Sequence, residues 1–318
     1  MSPRERAAPR VALPAMPQAV WGGLAVVNFT CGGAGAGAVL GIVAVSLVAP
    51  VSGRAARLVE AIGLLLAGAG LAAVGAEAGR PLRGFNVFRH PRRSWMSREP
   101  VAAAAFAAFI GLDVVAPGPW QRGLGAAAAL AFMLSQGFIL FAAKGVPAWA
   151  TWEIPLLFVT SGIAKGLGVV LAVLALMGEA DGLKAAAELA TAVIVAALLA
   201  WWVYSLSADG PPAKREALAH LRTGWVAAGI VGVGHTLPLV ALVATVGSGG
   251  PRPGTPGWVA MPLAGLCLAA GGALLKWAVV RRAGLLHPLG LDAFRSIGGP
   301  VTAAPSPGAA VGVPRKWL

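Results

Sequence analysis

The chain has 318 residues, 58% of them hydrophobic and only 12% charged, with a mean hydropathy of +0.77 and a net charge of +13. Soluble domains run at about 25% charged and 45–50% apolar, so this composition excludes an ordinary globular protein, a disordered chain and a disulfide scaffold. The basic excess falls in short loops between apolar runs, where membrane topology accounts for it and nucleic-acid binding does not.

Before the first apolar run, residues 1–20 place Arg4, Arg6 and Arg10 among Ala and Pro without a compact apolar core, so no cleavable targeting signal is expected. Apolar runs then follow at about 22–49, 59–78, 101–116, 123–143, 154–177, 185–206, 224–247 and 257–280. Each is of a length that crosses a bilayer as a helix, because lipid offers no water to satisfy backbone groups. Pro155, Pro238 and Pro262 mark kinks or close packing. The expected fold is an all-α integral membrane bundle of eight transmembrane helices. It divides into an N-terminal segment, 1–21, the membrane domain, 22–282, and a flexible tail, 283–318, rich in Pro, Gly and Ala.

Eight spans put both termini on one side. That side carries eighteen Lys and Arg, the other five (Arg54, Arg57, Arg122, Lys184 and Arg252), with Lys165 and Lys276 inside runs. The positive-inside rule therefore makes both termini cytoplasmic, in a bacterial-type inner membrane. Most tryptophans, among them Trp149, Trp201, Trp202 and Trp225, fall near the cytoplasmic ends of the runs and Trp120 and Trp258 near the opposite ends, as interfacial anchors do.

In the first run, Gly33-Ala34-Gly35-Ala36-Gly37-Ala38 fits a dinucleotide fingerprint formally, but it lacks the preceding strand. Gly33, Gly37 and Gly41 instead share one helix face and allow close approach of another helix. Cys31 and Cys267 lie inside apolar runs and make no metal motif. Of four histidines, His90, His220, His235 and His287, only His235 is deep in a run, so a pair of axial haem ligands cannot be assembled. Neither haem nor a metal is expected in this chain.

Ionisable groups within a bilayer are the default functional candidates. Glu77, Glu99, Asp113, Lys165, Glu188, His235 and Lys276 qualify. Lys276 lies one turn from a cytoplasmic end and is expected to snorkel; Asp113 and Glu188 lie toward the outer ends, where interfacial water would solvate them. Lys165 stands near the midplane, where either a function or a buried pair would hold it. His235, three residues before Pro238, suits proton relay or a bond to a backbone carbonyl freed by the proline.

The longest cytoplasmic loop begins with Glu77-Ala78-Gly79-Arg80-Pro81-Leu82-Arg83-Gly84-Phe85 and ends with Ser94-Trp95-Met96-Ser97-Arg98-Glu99. Its two flanking carboxylates, on consecutive helices, can face one cavity at headgroup depth and move protons to or from a lipid-soluble redox ligand. A charged loop tied down by Glu–Arg bridges fits the same residues.

This stretch resembles the loop between the second and third helices of the DMSO reductase anchor subunit family and its polysulfide-reductase-type relatives. The segment from Lys144 to Trp149 is similar in character to the membrane subunit of phenylacetyl-CoA:acceptor oxidoreductase. The resemblance implies a haem-free anchor with no chemistry of its own on the soluble substrate, docked on its cytoplasmic face to an iron–sulfur subunit and, through it, to a molybdopterin catalytic subunit. It further implies electron exchange with a quinone, menaquinone or ubiquinone. Carried onto this chain, Glu99 is the motif carboxylate, and Glu77 stands where a His is often found. Together they are the expected proton carriers, with Arg80, Arg98, Trp95, Asn28 and Gln136 as quinone-binding candidates. Arg83, Arg89, Arg92 and Arg93 are the docking candidates. Two other readings stay open: a permease with a midplane site at Lys165 and His235, and a purely structural anchor.

Overall fold

A computed structural model describes residues 15–77, 86–207 and 209–286. Arg80 and Arg83, and the terminal segments bearing Arg4, Arg6, Arg10 and His287, lie outside them. The described residues are almost wholly helical: α1 (Gly23–Val48), α2 (Gly53–Glu77), α3 (Trp95–Val115), α4 (Pro119–Phe141), α5 (Glu153–Met177), α6 (Ala180–Leu206) and α7 (Pro212–Arg222). A further rod is built from α8 (Gly224–Ala227), a π-helical segment (Ala228–Thr236) and α9 (Leu237–Gly247). The last is α10 (Pro256–Trp277), which continues as π-helix over Ala278–Arg282.

Seven of these rods are long and apolar enough to cross a membrane. Of the eight expected spans the exception is α3, whose 21 residues carry Arg98, Glu99 and Asp113 and so interrupt the apolar run. It occupies its expected place, packed along α4. An element that hydropathy does not reveal is α7, PAKREALAHLR: Ala213, Ala217, Leu218 and Leu221 are buried on one face while Arg215 and Glu216 face outward. This is the pattern of a surface helix.

Helix packing explains the glycines. Lipid is as apolar as leucine, so membrane helices gain by close approach of small residues rather than by hydrophobic burial. Helix α1 lies at the centre, against α2 on one side and α5 on the other. A Cβ on Gly37 would collide with the Gly162 carbonyl, and one on Gly166 with the backbone of Gly37 and Ala38, so α1 and α5 meet backbone to backbone. The face shared by Gly33, Gly37 and Gly41 is therefore the face turned to α5.

The two ends of the described chain pair with each other. Gln18 N–H donates to Gly284 O at 2.7 Å and Leu286 N–H to Met16 O at 2.8 Å, an antiparallel bridge that sets both ends on one side of the bundle.

Several expectations need correction. Trp149 and Trp201 are each only 2% exposed: the Trp149 indole stacks on Trp21 and donates to Val279 O at 2.8 Å, so both are core residues and not interfacial anchors. Trp120, Trp152 and Trp225 are exposed as anchors would be. Lys276 does not snorkel, because its Nζ turns inward, 3.3 Å from the centre of the Phe158 ring and 3.4 Å from Phe158 O. Pro155 falls in the first turn of α5, where no intrahelical bond is lost, so of the two expectations it makes no kink but does mark close packing: a Cβ on Gly137 of α4 would lie 2.6 Å from Pro155 Cα.

Asp113 is not solvated at an interface. It is fully buried and bonds Arg122 at 3.0 Å, while the same guanidinium reaches the fully buried Glu60 at 3.1 Å. Asp113 also accepts the Gly118 N–H, at 2.8 Å. This clamp ties the start of α2, the end of α3 and the start of α4. Glu60, alone in an apolar run, escaped notice in the sequence.

Candidate functional site

At the opposite end of these same helices, α1 begins, α2 ends, α3 begins and α4 ends. A cavity of about 260 Å³ opens there. Its apolar walls include Trp21, Phe29, Val74 and Met96, and its polar groups are Asn28, Glu77 and Glu99. The two carboxylates flanking the loop thus line one cleft.

Their surroundings differ. Glu77 is the last residue of α2 and is exposed; its Oε1 accepts the N–H of Gly22, the residue that caps α1, at 2.8 Å. A carboxylate at that position also faces the positive end of the α1 dipole. Glu99, in the second turn of α3, is only 9% exposed. Its Oε1 accepts two side-chain amides, Asn28 Nδ2 at 2.9 Å and Gln136 Nε2 at 3.2 Å. No ion pair reaches Glu99 among the described residues.

The amides come from different elements. Asn28 stands one turn into α1, and Gln136 lies near the end of α4. Both are 1% exposed. Gln136 reaches Glu99 because α1 lacks side chains there: a Cβ on Gly32 would lie 2.5 Å from Gln136 Nε2. Its Nε2 also lies 3.4 Å from Asn28 O. Chemically, the trio holds a carboxyl group at the inner wall of an apolar cleft, fixed by two donors and open on one side to a ligand.

Other candidates sit apart from the cleft. Arg98 donates to Pro91 O at 2.8 Å and Arg92 O at 3.0 Å, and its guanidinium lies 4.1 Å over the Trp95 ring. Trp95 in turn stacks on Phe138 at 4.3 Å. Both residues therefore shape the loop, and neither is among the cavity walls. Arg89, Arg92 and Arg93 are exposed on that loop. Lys165 Nζ donates to Thr30 O at 2.9 Å, and His235 Nδ1 lies 2.7 Å from Ile230 O on its own helix. Among the described residues no group of three or more His, Cys, Asp or Glu is placed to hold a metal ion.

No curated protein matches the chain. Residues 18–116 match the family model of the DMSO reductase anchor subunit (DmsC). The matched stretch runs from the segment that pairs with the far end of the described chain to the end of α3, and it contains Asn28, Glu77 and Glu99. Over those residues, somewhat under a third of the chain, the protein is similar to the DMSO reductase anchor subunit family.

Proposed function

We propose that this chain is the quinone-reactive membrane anchor subunit of a multisubunit molybdopterin oxidoreductase. It passes electrons between a partner iron–sulfur subunit and a membrane quinone, in an inner membrane crossed eight times with both termini cytoplasmic. The observation that carries the reading is Glu99, set by Asn28 and Gln136 into the wall of an apolar cleft within the family-matched stretch.

The residues present fit a quinone. Aromatic and aliphatic walls suit a ring and its isoprenoid chain, and a carboxyl group suits proton exchange with a ring oxygen. The quinone supplies two-electron chemistry. What this chain supplies is position and protons: Trp21 and Phe29 exclude water, Asn28 and Gln136 hold the Glu99 carboxyl, and Glu77 at the mouth links the cleft to the aqueous side. Arg89, Arg92 and Arg93 present a basic surface for the iron–sulfur subunit, which carries the molybdopterin subunit. Electrostatic docking of this kind is weakened by salt.

In the assembled complex, Glu99→Gln should lower quinone-linked turnover by about 100-fold, the size of a lost general acid–base group. Turnover with a soluble dye that draws electrons directly from the partner subunits should stay unchanged. Equal loss in both assays would assign Glu99 to assembly instead. The permease reading has less support, since Lys165 and His235 are engaged by carbonyls on separate rods, α1 and the π segment.

A further inference from the structure

At the end of the helices away from the cleft, the clamp holds more carboxyl oxygens than donors. Arg122 Nε carries one hydrogen, yet Glu60 Oε1, at 3.1 Å, and Asp113 Oδ2, at 3.0 Å, both accept it. Two carboxyl groups therefore stand side by side on a single N–H. As ions they would set two negative charges against one guanidinium, although neither carboxyl side chain has any exposure. An unbalanced charge in such a place is costly, and a carboxyl group avoids the cost by keeping its proton.

The distribution of donors shows which of the two keeps it. Asp113 is well supplied: besides the shared hydrogen, its Oδ2 lies 3.0 Å from Arg122 Nη2, and its Oδ1 accepts the Gly118 N–H at 2.8 Å. Such surroundings favour the ionised form. Glu60 has only its share of the Nε hydrogen, and its Oε2 is buried with no hydrogen-bond partner. Among the described residues no second cation reaches it. Arg57, one turn earlier on α2, turns its guanidinium back toward Gly53. Helices α1 and α4 carry no ionisable residue besides Cys31 and Arg122. On α3, Arg98 and Glu99 stand at the cleft end, as does Glu153 on α5, and Lys165 of α5 is bonded to Thr30 O.

We propose that Glu60 keeps a proton on Oε2 at neutral pH, so that the clamp is a neutral carboxylic acid set beside an Asp113–Arg122 ion pair. The three groups then carry no net charge. The O–H is turned to the Asp113 carboxylate, which shares the guanidinium with it. Unfolding exposes Glu60 to water, where it ionises in the ordinary carboxylate range and releases the proton. The folded chain thus binds one proton more than the unfolded chain above that range, and the stability it draws from Glu60 declines as pH rises. This inference is independent of the quinone reading, because clamp and cleft occupy opposite ends of the helices.

Infrared spectroscopy and thermal unfolding of the purified full chain in lipid test it. At neutral pH, Glu60→Gln should remove a protonated-carboxyl carbonyl band that Glu99→Gln retains. Glutamine matches the neutral acid in shape, so this variant should fold and melt within about 4 °C of the parent. Asp113→Asn breaks the ion pair and should melt well below both. Between about pH 5 and about pH 8 the melting temperature of Glu60→Gln should rise relative to the parent, which alone takes up the proton on folding. A band that survives in Glu60→Gln overturns the proposal. So does a Glu60→Gln chain that fails to fold, or melts as low as Asp113→Asn, since Glu60 would then be an ion. A melting difference that stays flat across this pH range overturns it as well.

Discussion

Glu99 differs from Glu77 in what fixes it. Glu77 bonds one backbone N–H at an exposed helix start, whereas Glu99 is buried and depends on two side chains from two other helices. Gln136→Leu keeps the size of the side chain and removes one donor. It should lower quinone-linked turnover by about tenfold, roughly the value of one hydrogen bond to a charged group, while subunit assembly, read by co-purification, stays intact. At the other end of these helices the Glu60–Arg122–Asp113 clamp has a structural role. Arg122→Ala strands two buried carboxyl groups and should destabilise the fold by about 3–5 kcal/mol; thermal unfolding in detergent, followed by helical circular dichroism, measures it. The sequence named Glu77 and Glu99 through their place at the ends of the charged loop and through resemblance, and it named Asn28 and Gln136 as candidates without showing that they meet Glu99. It did not reveal the clamp, because Glu60 stands alone in an apolar run, 62 residues from Arg122, while Asp113 and Arg122 each look like a helix-end charge.

Among the helices, close approach is decided glycine by glycine. Gly33 and Gly37 share a face of α1, yet only at Gly37 does α5 bring a carbonyl into the place of a Cβ. Gly37→Ala should therefore destabilise the protein by about 1–3 kcal/mol, as overpacking does, and Gly33→Ala by much less. The comparison of their melting temperatures checks the packing directly. The π-helical segment before Pro238 has its own device. There the backbone bonds shift by one residue, the Leu237 N–H reaches Gly232 O, and the His235 ring bonds the Ile230 carbonyl. The expected partner was a carbonyl freed by Pro238, but the one bonded, Ile230 O, lies eight residues before the proline, which does not free it. The helix α7 was not read from the sequence, because its apolar face is short and lies in a charged loop.

The molecule as a whole is polarised. One end carries the cleft, the basic loop and the paired ends of the described chain; the other carries the Arg122 clamp. The proposed orientation places the first end in the cytoplasm. Reporter domains fused to both termini should report the same, cytoplasmic side, and reports from opposite sides would reject an even number of crossings. Replacing Arg89, Arg92 and Arg93 together by alanine should weaken capture of the partner subunits. The difference from the unaltered chain should be largest at low salt and shrink as salt is raised, since screening weakens the attraction that the arginines supply.

Composition and hydropathy determined by themselves that the chain is a helical membrane bundle, and where its long apolar rods lie, because transfer into lipid depends on local residue chemistry and hardly on neighbours. The charge split between loops likewise needed only the order of the runs. The tertiary structure alone decided which charges are paired, which tryptophans are core and which glycines touch. Lys276 and Trp149 show why: each stands near a helix end, where sequence favours the interface, yet each turns inward because a carbonyl on a neighbouring helix lies within reach. The site has the same character, since Asn28, Glu99 and Gln136 meet only where α1, α3 and α4 are packed together.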